Sequence, residues 1–381
     1  MSTTLEINKI DLSLDNLGCE LPEEIAHLGE YAKYAKQIKE DVYGFFIPQF
    51  VEGKRNEDWY SFRKNTIGSS EIATIIDMDE YGDPVKLFRS KIDYDIPPFA
   101  TKFTVNGLHF EEKISDLWEF YDGTETGWVD NWTQAKKIRT KVPIPCYAVN
   151  INYPHLSASL DFFIPGGQVS PFTGEIVESD ASLEIKMVSQ FAAEKYELGI
   201  PHRYVVQTNL QMIVLGITYS ELAYLVAGVD FNVLPLDMDL ELCQEIIVKT
   251  YEFWNRVNMA RDIYNSEGDE LEIDKQITQI EPEPSGNEAY IEFYKDKYKT
   301  SYEDTLRAGE DEEWDIAVKY KKCTDNIALL EKTKEKLKQK ILAFSKYDEV
   351  ISFGDNGRIL NKRPEGKRAT FRVNIKNYKE E

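Results

Sequence analysis

The sequence predicts an α/β protein in which a central mixed β-sheet is flanked by helices, with a helical and β appendage at the C-terminal end. Apolar residues recur at helical spacing from about Asn106 to Tyr121, then alternate in strand fashion from 138 to 164. Two more strand-like runs, Ala181–Met187 and Glu221–Val229, enclose two helical ones, Ser189–Gly199 and His202–Gly216. A long helical run follows Met238 to about Asn265, and an acidic, Pro-containing stretch from Gly268 to Glu288 then breaks the pattern.

Residues 1–55 read as an N-terminal extension, acidic and mixed, with a helical-looking stretch from Pro22 to Val42. The main core is expected over residues 56–267. Near its start, small and hydroxylated residues lead from Gly68 into an apolar run reaching Ile76, which predicts a helix capped by Ser69 or Ser70. In the next helix Leu108, Glu111, Glu112, Ser115 and Trp118 distribute between its faces. Val142, Ile144, Tyr147, Val149, Ala158, Leu160 and Phe162 mark the alternating strands, with turns at Asn152 to Pro154 and Pro165 to Gly167. Residues 268–288 are expected to form an acidic link. Residues 289–381 are expected to form a charged helical pair, reaching about Phe344, closed by a small β element between Val350 and Ile375.

Hydrophobic residues make up 42% of the 381 and aromatic ones 12%, enough to bury a core and too many for a disordered chain. Met1 to Ile10 has no basic region leading into an apolar run, and no stretch approaches the roughly 20 apolar residues of a membrane span. A soluble, intracellular protein without membrane partners is expected. Cys19, Cys146, Cys243 and Cys323 are scattered with no CxxC pair, which suits free thiols in a reducing compartment better than zinc or iron–sulfur ligation.

The net charge of −22 argues against a nucleic-acid partner, because phosphate binding needs a basic footprint. The total hides an asymmetry. Glu331 to Glu381 holds 14 Lys and Arg against 8 Asp and Glu, a net of +6, so the 330 residues before it carry −28. A second basic island, Lys136, Lys137, Arg139 and Lys141, lies mid-chain. Both are equally open to a DNA backbone or to solvent. Carboxylates that hold divalent cations reverse the local sign, so an acidic chain can still bind DNA.

The residues that carry chemistry are Asp161, at the end of one strand, and Glu184 and Lys186 on the next. Side chains alternate across a strand, so Glu184 and Lys186 share a face. If the two strands are neighbours, two carboxylates converge beside an ammonium. That set suits phosphodiester cleavage: hard cations such as Mg²⁺ prefer carboxylate oxygens, and the lysine orients or helps deprotonate the attacking water. By spacing alone the trio equally describes a surface ion pair. The flanks favour the site, since Leu160 and Phe162 bracket Asp161 while Leu183, Ile185 and Met187 bracket the pair. Charge inside apolar strands is costly unless partnered. His109, His155 and His202 lack the spacing of metal ligands and read as structural. Gln207 and Gln211 lie four apart, on one helical face behind Tyr204.

From Trp59 to Gly228 the chain resembles the YqaJ-type viral recombinase nucleases, the group of the lambda exonuclease within the PD-(D/E)XK superfamily. Trp59, Arg63 and Ile67-Gly-Ser-Ser-Glu71 resemble the family's opening block; Gly107-Leu-His-Phe-Glu111 its acid-bearing helix; Ser159-Leu-Asp161 its Ser-Pro-Asp; Leu183-Glu-Ile-Lys186 its Glu-x-Lys; and Tyr204-Val-Val-Gln207 with Gln211 its Tyr-x-x-Gln helix. Leu160 departs from the proline, and the stretch from Phe163 to Ser182 is long enough for a hairpin excursion.

The resemblance implies a restriction-endonuclease-like core and a nuclease using two ions of Mg²⁺ or Mn²⁺. It makes Glu111, Asp161, Glu184 and Lys186 catalytic, with Glu111, Asp161, Glu184 and the Ile185 carbonyl on the metals. It assigns Arg63, Ser69 and Ser70 to a 5′-phosphate, in keeping with the anion affinity of a helix N-terminus, and Tyr204, Gln207 and Gln211 to the site lining. The implied activity is 5′ to 3′ resection of duplex DNA ends in the cytoplasm of a phage-infected or bacterial cell. A single-strand-annealing recombinase and a homo-oligomer are the implied partners. An endonuclease or nickase of the same fold, a non-catalytic DNA-end binder and an acidic DNA mimic are the alternatives.

Overall fold

The computed structural model describes residues 10–52, 54–95, 102–193, 199–299, 308–346, 348–362 and 370–375. Two compact units divide the chain, Met1–Lys299 and Thr300–Glu381. Among the described residues no helix is long and apolar enough to cross a membrane.

The first unit opens with a 3-10 helix, Glu23–Tyr34, and a hairpin of β1 (Ala35–Lys39) and β2 (Val42–Phe45) turning at Asp41, whose φ is 62°. After the short ribbon β3 (Phe50–Val51) and β4 (Lys54–Arg55) come α1 (Glu57–Lys64), β5 (Ile67–Gly68), α2 (Ile72–Ile75), α3 (Pro84–Ser90), α4 (Lys102–Trp118) and α5 (Gly127–Thr133). The strand-rich middle holds β6 (Val142–Pro143), β7 (Tyr147–Asn150), β8 (Leu156–Ser159), β9 (Phe162–Ile164), β10 (Gln168–Val169), β11 (Ile176–Val177) and β12 (Ala181–Val188). Helix α6 (His202–Leu215) leads to the hairpin β13 (Tyr219–Val226) and β14 (Asp230–Asp237), then to α7 (Leu240–Tyr264), α8 (Glu270–Thr278) and α9 (Glu288–Lys297).

The strands form two five-stranded sheets where the sequence suggested one. The first runs β1-β2-β7-β8-β5 and the second β14-β13-β12-β9-β6. β12 and β13 are parallel, so the chain between them must cross over the sheet, and α6 provides that crossover. The other pairs of the second sheet are antiparallel. β8 belongs to one sheet and β9 to the other, and only Leu160 and Asp161 separate them. One face of β12 buries Leu183 and Ile185 against Ile114 and Trp118 of α4. The largest core cluster joins Leu160 to Val206, Leu210, Val214 and Val257.

Several boundaries differ from the expectation. The described part of residues 1–55 is not an appendage, because β1 pairs with β2, β2 pairs with β7 and Phe45 packs on Phe62. The apolar run at Gly68–Ile76 yields only α2. Its N-cap is Glu71 and neither serine, and the Glu71 carboxylate folds back to accept the Gly68 N–H at 2.8 Å. The stretch 268–288 contains α8 and is tied into the unit: Asp274 and Glu281 both bind the fully buried Arg89 of α3. α9 belongs to the first unit, where Phe293 meets Tyr94 edge-on at 5.1 Å, whereas the following helix belongs to the second. Of the expected helix Ser189–Gly199, residues 194–198 lie outside the described residues; 190–192 form a 3-10 turn.

The second unit consists of α10 (Asp311–Phe344) and a meander of β15 (Val350–Ser352), β16 (Gly357–Lys362) and β17 (Thr370–Ile375). Asn361 fastens the helix end to the sheet, donating to the Ser345 carbonyl at 3.2 Å and hydroxyl at 3.0 Å. The last basic residues of the tail, at 376 and 379, lie outside the described residues.

Candidate active site

Asp161 stands where the chain passes from one sheet to the other. β9 pairs with β12 through Phe162 and Leu183, and the next step of that register sets Asp161 opposite Glu184. The backbone ladder ends there. In its place the Asp161 carboxylate accepts the Ile185 N–H at 2.8 Å, which pins the acid beside β12.

Glu184 is only 2% exposed, yet its carboxylate is fully partnered. Gln207 donates to one oxygen at 2.7 Å, Gln211 to the other at 2.8 Å, and Lys186 forms an ion pair with the first. The two glutamines are one turn apart on the face of α6 that covers β12, the spacing that lets both reach one side chain. The Lys186 ammonium lies 5.0 Å from the Tyr204 ring centroid. Glu111 precedes Ile114 and Trp118 by one and two turns, so it shares the α4 face that packs on the sheet.

Asp161 and Glu184 thus crowd one ammonium, and Glu111, on the α4 side of β12, feels its charge. Burial, then the like charge of Glu184, raise the Asp161 pKa well above the usual carboxylate range against the opposing pull of Lys186. Burial likewise raises Glu111. Lys186 moves up despite its burial, because Glu184 and Asp161 hold its proton. Among the described residues no three Asp, Glu, His or Cys side chains form a ready cation cage, since Glu184 is engaged by its neighbours. The donor chemistry still fits a hard dication: the set is short of positive charge, and the buried Oε1 of Gln211 beside it has no hydrogen-bond partner.

The opening block lies next to this centre. β5 pairs parallel with β8 at Gly68 and Ser157, four residues before Asp161, a strand distance of roughly 13 Å. The Ser69 hydroxyl is buried and has no hydrogen-bond partner, whereas Ser70 is exposed. The Arg63 guanidinium sits 4.9 Å from the Trp59 ring centroid. Lys91, which falls in none of the motifs, holds the block together: its buried ammonium donates to the Arg63 and Thr66 carbonyls at 2.7 and 2.9 Å and to Glu71 at 2.8 Å. Its residue type and position alone carry no signal of that role.

The basic island is not a free cationic patch. Arg139 is buried in a two-pronged contact with Glu221, while Lys137 and Lys141 pair with Glu119. His155 is buried and shares a 3.2 Å hydrogen bond with Thr250, away from the carboxylates.

A mixed α/β domain with an Asp, Glu and Lys centre on adjacent strands defines the class. Residues 58–219 match the family model of the YqaJ-like viral recombinase domain. No curated protein matches the sequence. Among solved structures, an alkaline exonuclease from Laribacter hongkongensis overlaps at 14% identity and a TM-score of 0.39, over 59% of this chain and 97% of that one. A phage-related exonuclease from Haemophilus somnus overlaps at 10% identity and a TM-score of 0.31, over 51% and 95%. Overlaps that loose bear no weight beside the geometry and the family match.

Proposed function

We propose that this chain is a metal-dependent deoxyribonuclease that resects duplex DNA from its 5′ ends, producing single strand for recombination. The observation that carries the reading is the register of β9 against β12, which sets Asp161 opposite Glu184 with Lys186 on the same face. The YqaJ-like domain match supports a nuclease acting in viral recombination.

Asp161, Glu184 and the Ile185 carbonyl would hold Mg²⁺ or Mn²⁺, with Glu111 reached through water. A bound divalent ion supplies Lewis acidity toward the phosphate and lowers the pKa of water. The side chains do the rest. Gln207 and Gln211 keep the Glu184 carboxylate aimed, and Lys186, held as an ammonium, orients the attacking water and offsets charge as the pentavalent phosphorus forms. Arg63 and the unpartnered Ser69 hydroxyl receive the terminal phosphate, which sets the polarity. The ribbon of β10 and β11 leaves β9 from the end away from Asp161, so it gives no ground for preferring a nickase.

The test uses linear duplexes with 5′-phosphate or 5′-hydroxyl ends and closed circles, each with Mg²⁺, Mn²⁺ or EDTA. Preferential degradation of the phosphorylated linear form in metal is expected, with EDTA and Lys186→Ala both abolishing it. Nicking of circles, or binding without cleavage, would replace the exonuclease reading.

A further inference from the structure

Helix α10 buries none of its residues. Along it Ile316, Tyr320, Cys323, Ile327, Leu330 and Leu337 recur at alternating steps of four and three, with Lys334 completing the series. These are the inner positions of a heptad repeat over three turns of the pattern, about 32 Å of helix. All six are exposed, Tyr320 at 76% and Leu330 at 67%. A straight apolar seam of that length facing solvent marks a contact surface.

We propose that α10 pairs with α10 of a second copy of this chain in a parallel, in-register, two-stranded coiled coil. A period of 3.5 residues calls for a left-handed supercoil with another helix. The charges beside the seam set the direction of the pair. In the parallel arrangement the flanking residues meet as Lys319 with Thr324, Asn326 with Glu331, and Thr333 with Lys338, and no like charges face each other. An antiparallel pair centred on the seam sets Lys319 against Lys340 twice. A single polar residue at an inner position, here Lys334, fixes register at some cost in stability. Cys323 then faces Cys323 of the second copy, within the reach of a disulfide.

The full chain tests this by light scattering after size exclusion and by diamide oxidation. Diamide takes the two thiol hydrogens as the sulfurs join. Ile327→Asp/Leu330→Asp is expected to halve the wild-type mass, with unchanged circular dichroism. Diamide is expected to give a covalent dimer on a non-reducing gel, absent in Cys323→Ser and in the double variant. Equal masses for wild type and double variant would overturn the pairing. A mass that halves without any Cys323 cross-link would overturn the parallel register.

Discussion

Replacing Arg139 by Met is expected to cost the first unit about 3–5 kcal/mol, the usual penalty for stranding one member of a buried ion pair. The guanidinium donates to both oxygens of Glu221 at 2.8 and 2.6 Å and lies 3.8 Å from the Trp118 ring centroid. The two side chains are 4% and 1% exposed, so water cannot take the place of the lost donors. Glu221 would keep only the Trp118 indole N–H at 2.8 Å and the Tyr219 hydroxyl at 3.2 Å, two neutral groups for one buried charge. Met retains the apolar stem over Trp118, so charge dominates over cavity. Urea unfolding followed by tryptophan fluorescence measures the loss, with Glu221→Gln and the double variant completing a cycle. The double variant should recover more than half of the loss, because Gln still accepts from Trp118 and carries no charge. Lys137→Met is the control: its 2.7 Å pair with Glu119 is 58% exposed on the lysine side, so its loss should cost far less. An Arg139→Met penalty no larger than this control, or a double variant that merely adds the two losses, would refute the reasoning.

Ser69→Ala should leave stability within about 1 kcal/mol, because the hydroxyl has no partner to lose. Its rate preference for 5′-phosphorylated over 5′-hydroxyl duplex should shrink, and an unchanged ratio removes Ser69 from the phosphate site. Gln211→Met strips one donor from Glu184 and should raise the Mg²⁺ concentration needed for half-maximal cleavage by roughly 10–100-fold; a wild-type titration curve would contradict this. His155 is buried neutral, its pKa pushed down to about 4 mainly by burial. Below pH 6.5 the unfolded chain takes up the proton that the folded one refuses. Stability should therefore fall as pH drops from 6.5 toward 4, by at most about 3 kcal/mol. Thermal melts of wild type and His155→Gln across that range check it, and parallel pH profiles would exclude His155 as the source.

What the sequence disclosed was local. Glu184 and Lys186 stand out because Leu183, Ile185 and Met187 flank them, and the alternation that reveals a strand also assigns them one face. The glutamine pair of α6 was visible for the same reason, through its spacing. Information that lives in distant pairings was hidden. Nothing near Val42 tells that it joins β7 more than a hundred positions later. The acidic composition of 268–288 resembles a linker until Asp274 and Glu281 meet Arg89. Ser69 and Ser70 have the chemistry of helix caps, but the helix starts only after Glu71, so neither stands at its N-cap. Helical spacing located α9 and α10 without indicating which unit each belongs to.

The crossing at Leu160 and Asp161 explains how the centre keeps its shape. A strand that leaves one sheet for another breaks two ladders, and buried backbone donors left at such a break are costly. Asp161 removes one of them by accepting from Ile185. Its carboxylate is thereby fixed opposite Glu184 and cannot swing away to relieve the like-charge repulsion that raises its pKa. Leu160, where the resembling family has proline, sits 5% exposed in the largest core cluster. Proline would restrain this step through its fixed φ; leucine restrains it by burial among α6 and α7 side chains. The crossing thus tolerates the exchange. The like charges stay together in the folded chain, and the Lys186 ammonium, paired with Glu184, is what offsets them.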